Sequence, residues 1–262
     1  TNKTVLACRR ACIMIGNLDG DLIAFRCSAS VGLEGEEEIS ILRTDKLMRD
    51  LLYNTESTSY NCYLSGRNNF RKKVNLDYKA NRKDKEPPRW LQSCRAYLIK
   101  EWNAVVSEGC EADDLLGINQ HNTDSVCISL DKDLLMITGW HFRWLDNEKL
   151  FVTPDQGLKT FYKQMMIGDK SDNIFGVRGI CPVKAAGIID TLDTEEEMIN
   201  TVFKMYEEDA ERFWMNAQCL WIMQKEKETW QDRVEHSILP NQLQHVLEEK
   251  SGFMKSLMDA IS

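Results

Sequence analysis

The sequence predicts an α/β protein built on a mostly parallel, doubly wound sheet. Three observations carry this. Short apolar runs alternate with segments of helical periodicity through the first half of the chain. Acidic residues cluster where the apolar runs stop, at Asp19-Gly20-Asp21, Glu111-Ala112-Asp113-Asp114, Asp131-Lys132-Asp133 and Gly168-Asp169-Lys170-Ser171-Asp172-Asn173. The chain has 262 residues, 43% of them hydrophobic, enough for one large α/β domain or a domain with a small appendage.

Residues 11–18 read as a buried strand that leads into a helix through Leu22, Ile23 and Phe25. Residues 32–38 form a polar loop. Residues 41–53 are helical, because Ile41, Leu42, Leu47, Met48, Leu51 and Leu52 fall on one face. A second strand spans 59–64. A basic segment follows and is closed by Pro87-Pro88. A helix over 89–106 places Trp90, Leu91, Cys94, Tyr97, Leu98, Trp102 and Val105 at helical spacing. A helix over 111–120 opens on the second acid cluster, and a strand over 125–130 ends on the third. A short helix and strands at 142–145 and 149–152 lead to Thr153-Pro154-Asp155, where threonine caps and proline suits the first turn. A glycine-rich turn, Gly176-Val177-Arg178-Gly179-Ile180, precedes Pro182 and another helix. The remainder is helical and charged; Trp214, Leu220, Trp221 and Met223 read as core. There is no internal repeat and no long low-complexity linker.

No apolar run reaches the ~18–20 residues of a membrane span, and no signal peptide is visible. Nine scattered cysteines without a C-x-x-C read as reduced thiols of a cytoplasmic protein. The four histidines share no metal-ligand spacing with them, which argues against zinc. The net charge of −8 argues against a generally basic nucleic-acid binder. The charge is uneven, however. Residues 67–89 hold nine bases against three acids, a local candidate for phosphate contacts.

Strands that open into carboxylates place them at the sheet's C-terminal edge, where open α/β sheets bind ligands. So many carboxylates share one place only when cations hold them. Oxygen ligands in that number select Mg²⁺ or Mn²⁺, and the chemistry most at home there is two-metal cleavage of phosphodiesters. Singly, Asp19 could be a helix cap and the Glu111 cluster an acidic first turn. Repetition at four successive element ends is what favours a metal centre.

Residues 168–186 read as a helix-hairpin-helix. Main-chain N–H groups at Gly176 and Gly179 would face a phosphate or a bridging cation, and Lys184 lies in the first turn of the second helix. The plainer reading is an αα-turn whose glycines permit the bend. Residues 70–82, with Phe70, Arg71, Lys72 and Tyr78, mix rings with bases, which suits single-stranded nucleic acid; the alternative is a solvated basic helix face.

Together these segments resemble the 5′-nuclease superfamily, in particular its bacteriophage and bacterial 5′→3′ exonuclease and flap endonuclease branch. The matching pieces are the four acid clusters, Tyr78-Lys79-Ala80-Asn81-Arg82, and Gly176-Val177-Arg178-Gly179-Ile180, in the family's order over residues 12–190. No polymerase domain follows, as in the free-standing phage form. The resemblance implies a PIN-like fold in a single domain over 1–262. Its parts are an α/β core at 12–165 with a basic helical arch at about 66–89, a helix-hairpin-helix at 166–190, and C-terminal helices at 191–262. It implies that Asp19, Glu111 and Asp113 hold one metal ion. Asp131, Asp133, Asp169 and Asp172 would hold the second, with Asp114 in support. Lys79 and Arg82 would reach the scissile phosphate and Tyr78 would stack on a base. Arg71, Lys72, Gly176, Gly179 and Lys184 would contact DNA, with K⁺ at the hairpin.

The implied activity is Mg²⁺- or Mn²⁺-dependent exonuclease and flap cleavage of DNA during replication or repair, with RNA–DNA hybrids as a second substrate. The implied partner is DNA with 5′ ends, flaps or a single-stranded 5′ arm, bound by a monomer with no membrane contact. Three positions depart from the family pattern. Tyr63-Leu64-Ser65-Gly66-Arg67 lacks an aspartate, leaving one ligand of the first metal missing or replaced by water. Cys181 stands for a glycine and Phe175 for a proline. Two alternatives stay open: a PIN-type ribonuclease on single-stranded RNA, and a structure-specific DNA-binding protein whose catalysis has decayed.

Overall fold

The computed structural model describes residues 14–82, 86–120 and 124–261. The chain begins with strand β1 (Ile15–Asp19), helix α1 (Gly20–Ser30), helix α2 (Glu37–Asn54) and strand β2 (Ser59–Leu64). The turn α3 (Arg71–Val74) and a 3₁₀ turn (Ala80–Arg82) cross to helix α4 (Leu91–Trp102) and strand β3 (Val105–Val106). Helix α5 (Ala112–Asn119), strand β4 (Ser125–Ile128), a 3₁₀ turn (Asp133–Met136), strand β5 (Gly139–Arg143) and strand β6 (Glu148–Val152) complete the sheet. Its order is β3-β2-β1-β4-β5-β6, and every pairing is parallel except β5 with β6. The α/β class with a mostly parallel sheet is therefore as the sequence implies.

The sheet separates two cores because strand side chains alternate between faces. Val126 and Ile128 pack with Leu18, Ile23, Met48 and Leu98 under α1, α2 and α4. Cys127, between them, points the other way, into a core with Leu116, Phe161 and Trp221. Helix α1 starts flush against the end of β2: a Cβ on Gly20 would lie 2.6 Å from the Tyr63 carbonyl oxygen. This close approach needs glycine, and it sets Asp19 and Asp21 beside the end of β2.

The helix expected over 89–106 stops at Trp102, where Asn103 adopts a left-handed conformation (φ 50°). Val105 and Val106 instead form the edge strand β3 against Tyr63 and Leu64. The strand expected at 142–145 lies earlier, at β5, so that Trp140 and Phe142 pair with Val126 and Ile128. Of the strand expected at 11–18, residues 11–13 lie outside the described residues, as do Lys83, Asp84 and Lys85 of the basic segment.

Beyond the sheet, helix α6 (Pro154–Ile167) is capped by Thr153, whose hydroxyl accepts from Gln156 N–H while the Gln156 side chain accepts from Thr153 N–H. A two-stranded ribbon follows, β7 (Gly168–Asp169) with β8 (Ile174–Phe175), then a turn to α7 (Pro182–Ile189). Helices α8 (Glu195–Met205), α9 (Ala210–Leu220), α10 (Trp230–Arg233) and α11 (Asn241–Asp259) pack behind α6. Trp214, Leu220, Trp221 and Met223 are buried there, and Phe161 meets Trp221 edge to face at 5.2 Å. The described cysteines are free thiols, all buried except Cys181. Among the described residues no helix is long and apolar enough to cross a membrane.

Candidate active site

At the C-terminal edge of the sheet a cavity of about 810 Å³ opens between the strand ends and residues 65–82. Asp19, Glu111, Asp113, Asp131, Asp133, Asp169 and Asp172 all line it. Four stretches far apart in sequence thus bring their acids to one place, because each follows or closes an element that ends at this edge.

Each carboxylate is set by local structure. Asp19 is the last residue of β1 and the cap of α1: one oxygen accepts from Leu22 N–H at 3.0 Å, the other from Ser129 Oγ at 2.7 Å. Glu111 caps α5 and Asp113 lies in that helix's first turn. Asp131 Oδ1 accepts from Asp133 N–H at 2.9 Å, which fixes the two at the end of β4. Asp169 accepts from Ser171 N–H at 2.7 Å in the ribbon turn. That turn depends on Gly168 and Gly176: their main chains approach so closely that a Cβ on Gly168 (φ 73°) would lie 2.3 Å from Gly176 N.

Crowding shows in the electrostatics. Burial, less its hydrogen bonds, pushes Asp19 up to about 6. Burial and then the charges of Asp131 and Asp169 push Asp133 up to about 7. Asp113 is raised well above the usual carboxylate range by burial and by Asp19, Asp131 and Glu111. Glu111 behaves oppositely. Burial would raise it, but the charges of Lys79 and Arg71 outweigh that and lower it.

Lys79 is the reason. It sits in left-handed conformation (φ 56°), its N–H donates to Asp172 O at 2.9 Å, and its ammonium pairs with Glu111 and lies 3.4 Å from Asp172 Oδ2. Arg82 pairs with Asp172 Oδ1 and donates to Ser171 O at 3.1 Å. The Tyr78 hydroxyl lies 2.9 Å from Glu111 and 2.7 Å from Asp172, with one proton to donate between them. Among the described residues no three histidines, cysteines or acids converge into a ready coordination shell. The Lys79 ammonium stands between Glu111 and Asp172 instead. The donor set still fits a hard divalent cation: it is all oxygen, it is anionic, and it is held against mutual repulsion.

Some expected site residues are placed otherwise. Arg71, expected at the surface, is buried. It is 2% exposed and grips Asp114 through two hydrogen bonds, 2.6 and 2.8 Å, while donating to the carbonyls of Cys219 and Trp221. Asp114 does not line the cavity. It is fully buried, and its remaining capacity is taken by Glu111 N–H and Met223 N–H. The Tyr78 ring is 4% exposed, packed beneath the acids rather than open to a base. Lys72 is exposed on the cavity wall. Gly176, Gly179 and Lys184 lie outside the cavity, with Lys184 exposed and Gly179 (φ 76°) open to solvent. Sequence reasoning missed two residues of the site, Ser129 and Arg95, and gave no separate role to Asp21 of the first acid cluster, which also lines the cavity.

No family model matches the chain. Comparison with solved structures gives likenesses over nearly the whole length. The bacteriophage T5 D15 protein co-crystallised with metal ions aligns with TM-score 0.61 at 15% identity, over 95% of this chain and 98% of that one. The T5 D15 flap endonuclease in a pseudo-enzyme–product complex with DNA and metal ions gives 0.61 at 15%, over 94% and 99%. The T5 5′-exonuclease with zinc ions bound gives 0.62 at 16%, over 94% and 99%. The likeness extends over nearly the whole length of both chains: this chain has the fold seen in the bacteriophage T5 D15 structures.

Proposed function

We infer that the chain is a divalent-metal-dependent structure-specific nuclease, a 5′→3′ exonuclease and flap endonuclease acting on DNA. The observation that carries this is the convergence of eight acids with Lys79 and Arg82 in one cavity at the strand ends. Asp19, Glu111 and Asp113 would hold one Mg²⁺ or Mn²⁺, and Asp131, Asp133, Asp169 and Asp172 a second. Bound there, such ions supply an activated water and stabilise the leaving oxygen.

The chain's own residues do the rest. Ser129 and Leu22 N–H orient the Asp19 carboxylate. Buried Asp114 holds the start of α5, and so Glu111, through the Glu111 N–H. Lys79 touches both acidic groups, at Glu111 and Asp172, and Arg82 pairs with Asp172 beside it, so both are placed for a phosphate drawn to that side. With Glu111 and Asp172 holding cations, Lys79 and Arg82 would be released from these carboxylates to balance charge on the phosphate. Exposed Lys72 and Arg67 on the same wall offer contacts to the backbone of a single-stranded 5′ arm. Lys184 and the Gly176–Gly179 turn would contact the duplex, with K⁺ as the bridging cation.

The test is a comparison of end-labelled 5′-flap DNA, blunt duplex DNA and single-stranded RNA in Mg²⁺. The reading expects short 5′ products from the DNA substrates, with the flap cut near its junction. Cleavage confined to single-stranded RNA would favour the ribonuclease alternative, and DNA binding without cleavage the decayed one.

A further inference from the structure

Asp21 is the acid of the cavity that the family pattern leaves without a role, and it sits where that pattern lacks one. It lies in the first turn of α1. Its Oδ2 accepts the main-chain N–H of Ser65 at 2.7 Å, at the end of β2. Its Oδ1 pairs with Arg95 of α4, and Arg95 also donates to the Ser65 carbonyl at 2.7 Å. The Ser65 hydroxyl in turn accepts from Ala112 N–H at 3.0 Å, at the start of α5. Asp21, Ser65 and Arg95 all line the same cavity as Asp19, Glu111 and Asp113.

A helix dipole alone accounts for an acid in a first turn. It does not account for a carboxylate held at both oxygens by other elements, at Oδ2 by the Ser65 N–H just past β2 and at Oδ1 by Arg95 of α4. The clamp fixes the side chain across the end of β2, so the negative charge at that edge comes from α1 and not from residue 65. Gly20 makes this possible, since only its missing Cβ lets α1 lie against the Tyr63 carbonyl.

We propose that Asp21 supplies the carboxylate on the β2 side of the cation site, in place of an acid at position 65, with Arg95 as its counter-charge in the metal-free protein. This rests on the nuclease reading above and deepens it. Ser65 is then no defect. Its hydroxyl is committed to the α5 amide that positions Glu111 and Asp113, and the charge it lacks is provided two residues beyond Asp19.

The experiment is Mn²⁺ binding to the DNA-free protein, followed by electron paramagnetic resonance, in wild type, Asp21→Asn, Asp113→Asn, and Asp21→Asn combined with Ser65→Asp. Asp21→Asn should weaken Mn²⁺ binding about tenfold. Adding Ser65→Asp should recover most of the loss. Because Asp21→Asn leaves Arg95 without its partner, Asp21→Asn/Arg95→Gln serves as a second variant and must also bind more weakly. Wild-type affinity in either Asp21 variant, with Asp113→Asn impaired, would overturn the proposal and leave the nuclease reading intact. Loss that Ser65→Asp fails to recover would also overturn it. Unchanged Mn²⁺ binding in all variants, Asp113→Asn included, would instead remove the cation site itself.

Discussion

Asp113 and Asp114 are adjacent, yet the structure assigns them opposite energetic roles, and their asparagine variants should diverge. Asp114 and Arg71 are a buried pair, with side chains 0% and 2% exposed. For Arg71, burial disfavours the charge, but the charge and hydrogen bonds of Asp114 more than offset this and hold its pKa well above normal. Removing one partner of such a pair leaves an uncompensated buried charge and costs ~3–5 kcal/mol. At ~2–4 °C per kcal/mol for a chain of this size, Asp114→Asn should lower Tm by about 6–20 °C. Asp113 is held against burial and three neighbouring carboxylates. Asp113→Asn relieves that repulsion, so in EDTA its Tm should equal or exceed that of wild type. Ca²⁺ should raise the wild-type Tm by binding the folded state, and this gain should shrink in Asp113→Asn. Thermal melts by circular dichroism, with EDTA and with Ca²⁺, read all of this. An Asp114→Asn protein that melts with wild type, or an Asp113→Asn protein that falls as far, would refute the assignment.

The other expectations concern chemistry and pH. Asp131→Asn and Asp133→Asn should each abolish cleavage while keeping the wild-type circular dichroism spectrum; activity retained in both would remove them from the site. Lys79→Ala should slow single-turnover cleavage by ~10²-fold, more than it weakens DNA binding, because charge on the phosphate grows in the transition state; an unchanged rate at saturating enzyme would reduce Lys79 to a partner of Glu111. In metal-free protein Asp133 titrates at about 7 against an ordinary 3.8. The folded state therefore holds a proton that the unfolded chain has released, so its contribution is complete below about pH 4 and is lost as pH rises to about 7. The Tm of wild type relative to Asp133→Asn in EDTA should fall across that window, and a flat or rising difference would contradict the crowded-carboxylate account.

The fold was legible where periodicity was strong. The acid clusters at Asp19, Glu111, Asp131 and Asp169 marked the sheet edge because strands that stop at charge must stop at solvent. The edge strand at Val105–Val106 was not legible: two valines continue the periodicity of α4, and only the left-handed Asn103 separates them. The burial of Arg71 against Asp114 was not legible for a related reason. A basic run and an acid cluster look solvated in sequence, and nothing local reveals that one member of each turns inward to meet the other across 43 residues. Tyr78 was read as a stacking ring, but its hydroxyl is needed between Glu111 and Asp172, which draws the ring under the acids. Asp21 was visible in sequence, but its link to Ser65 depends on the approach of α1 to β2, which is a tertiary fact.

The central claim is that the converging carboxylates work by holding divalent cations for phosphodiester cleavage. Its most direct test is a rapid-mixing experiment on a 5′-flap DNA already bound to the protein in Ca²⁺. Addition of excess Mg²⁺ should start cleavage in the wild type, EDTA should prevent it, and Asp133→Asn should bind the same DNA without cutting it. Undiminished cleavage in EDTA, or full cleavage by Asp133→Asn after Mg²⁺ addition, would contradict the account.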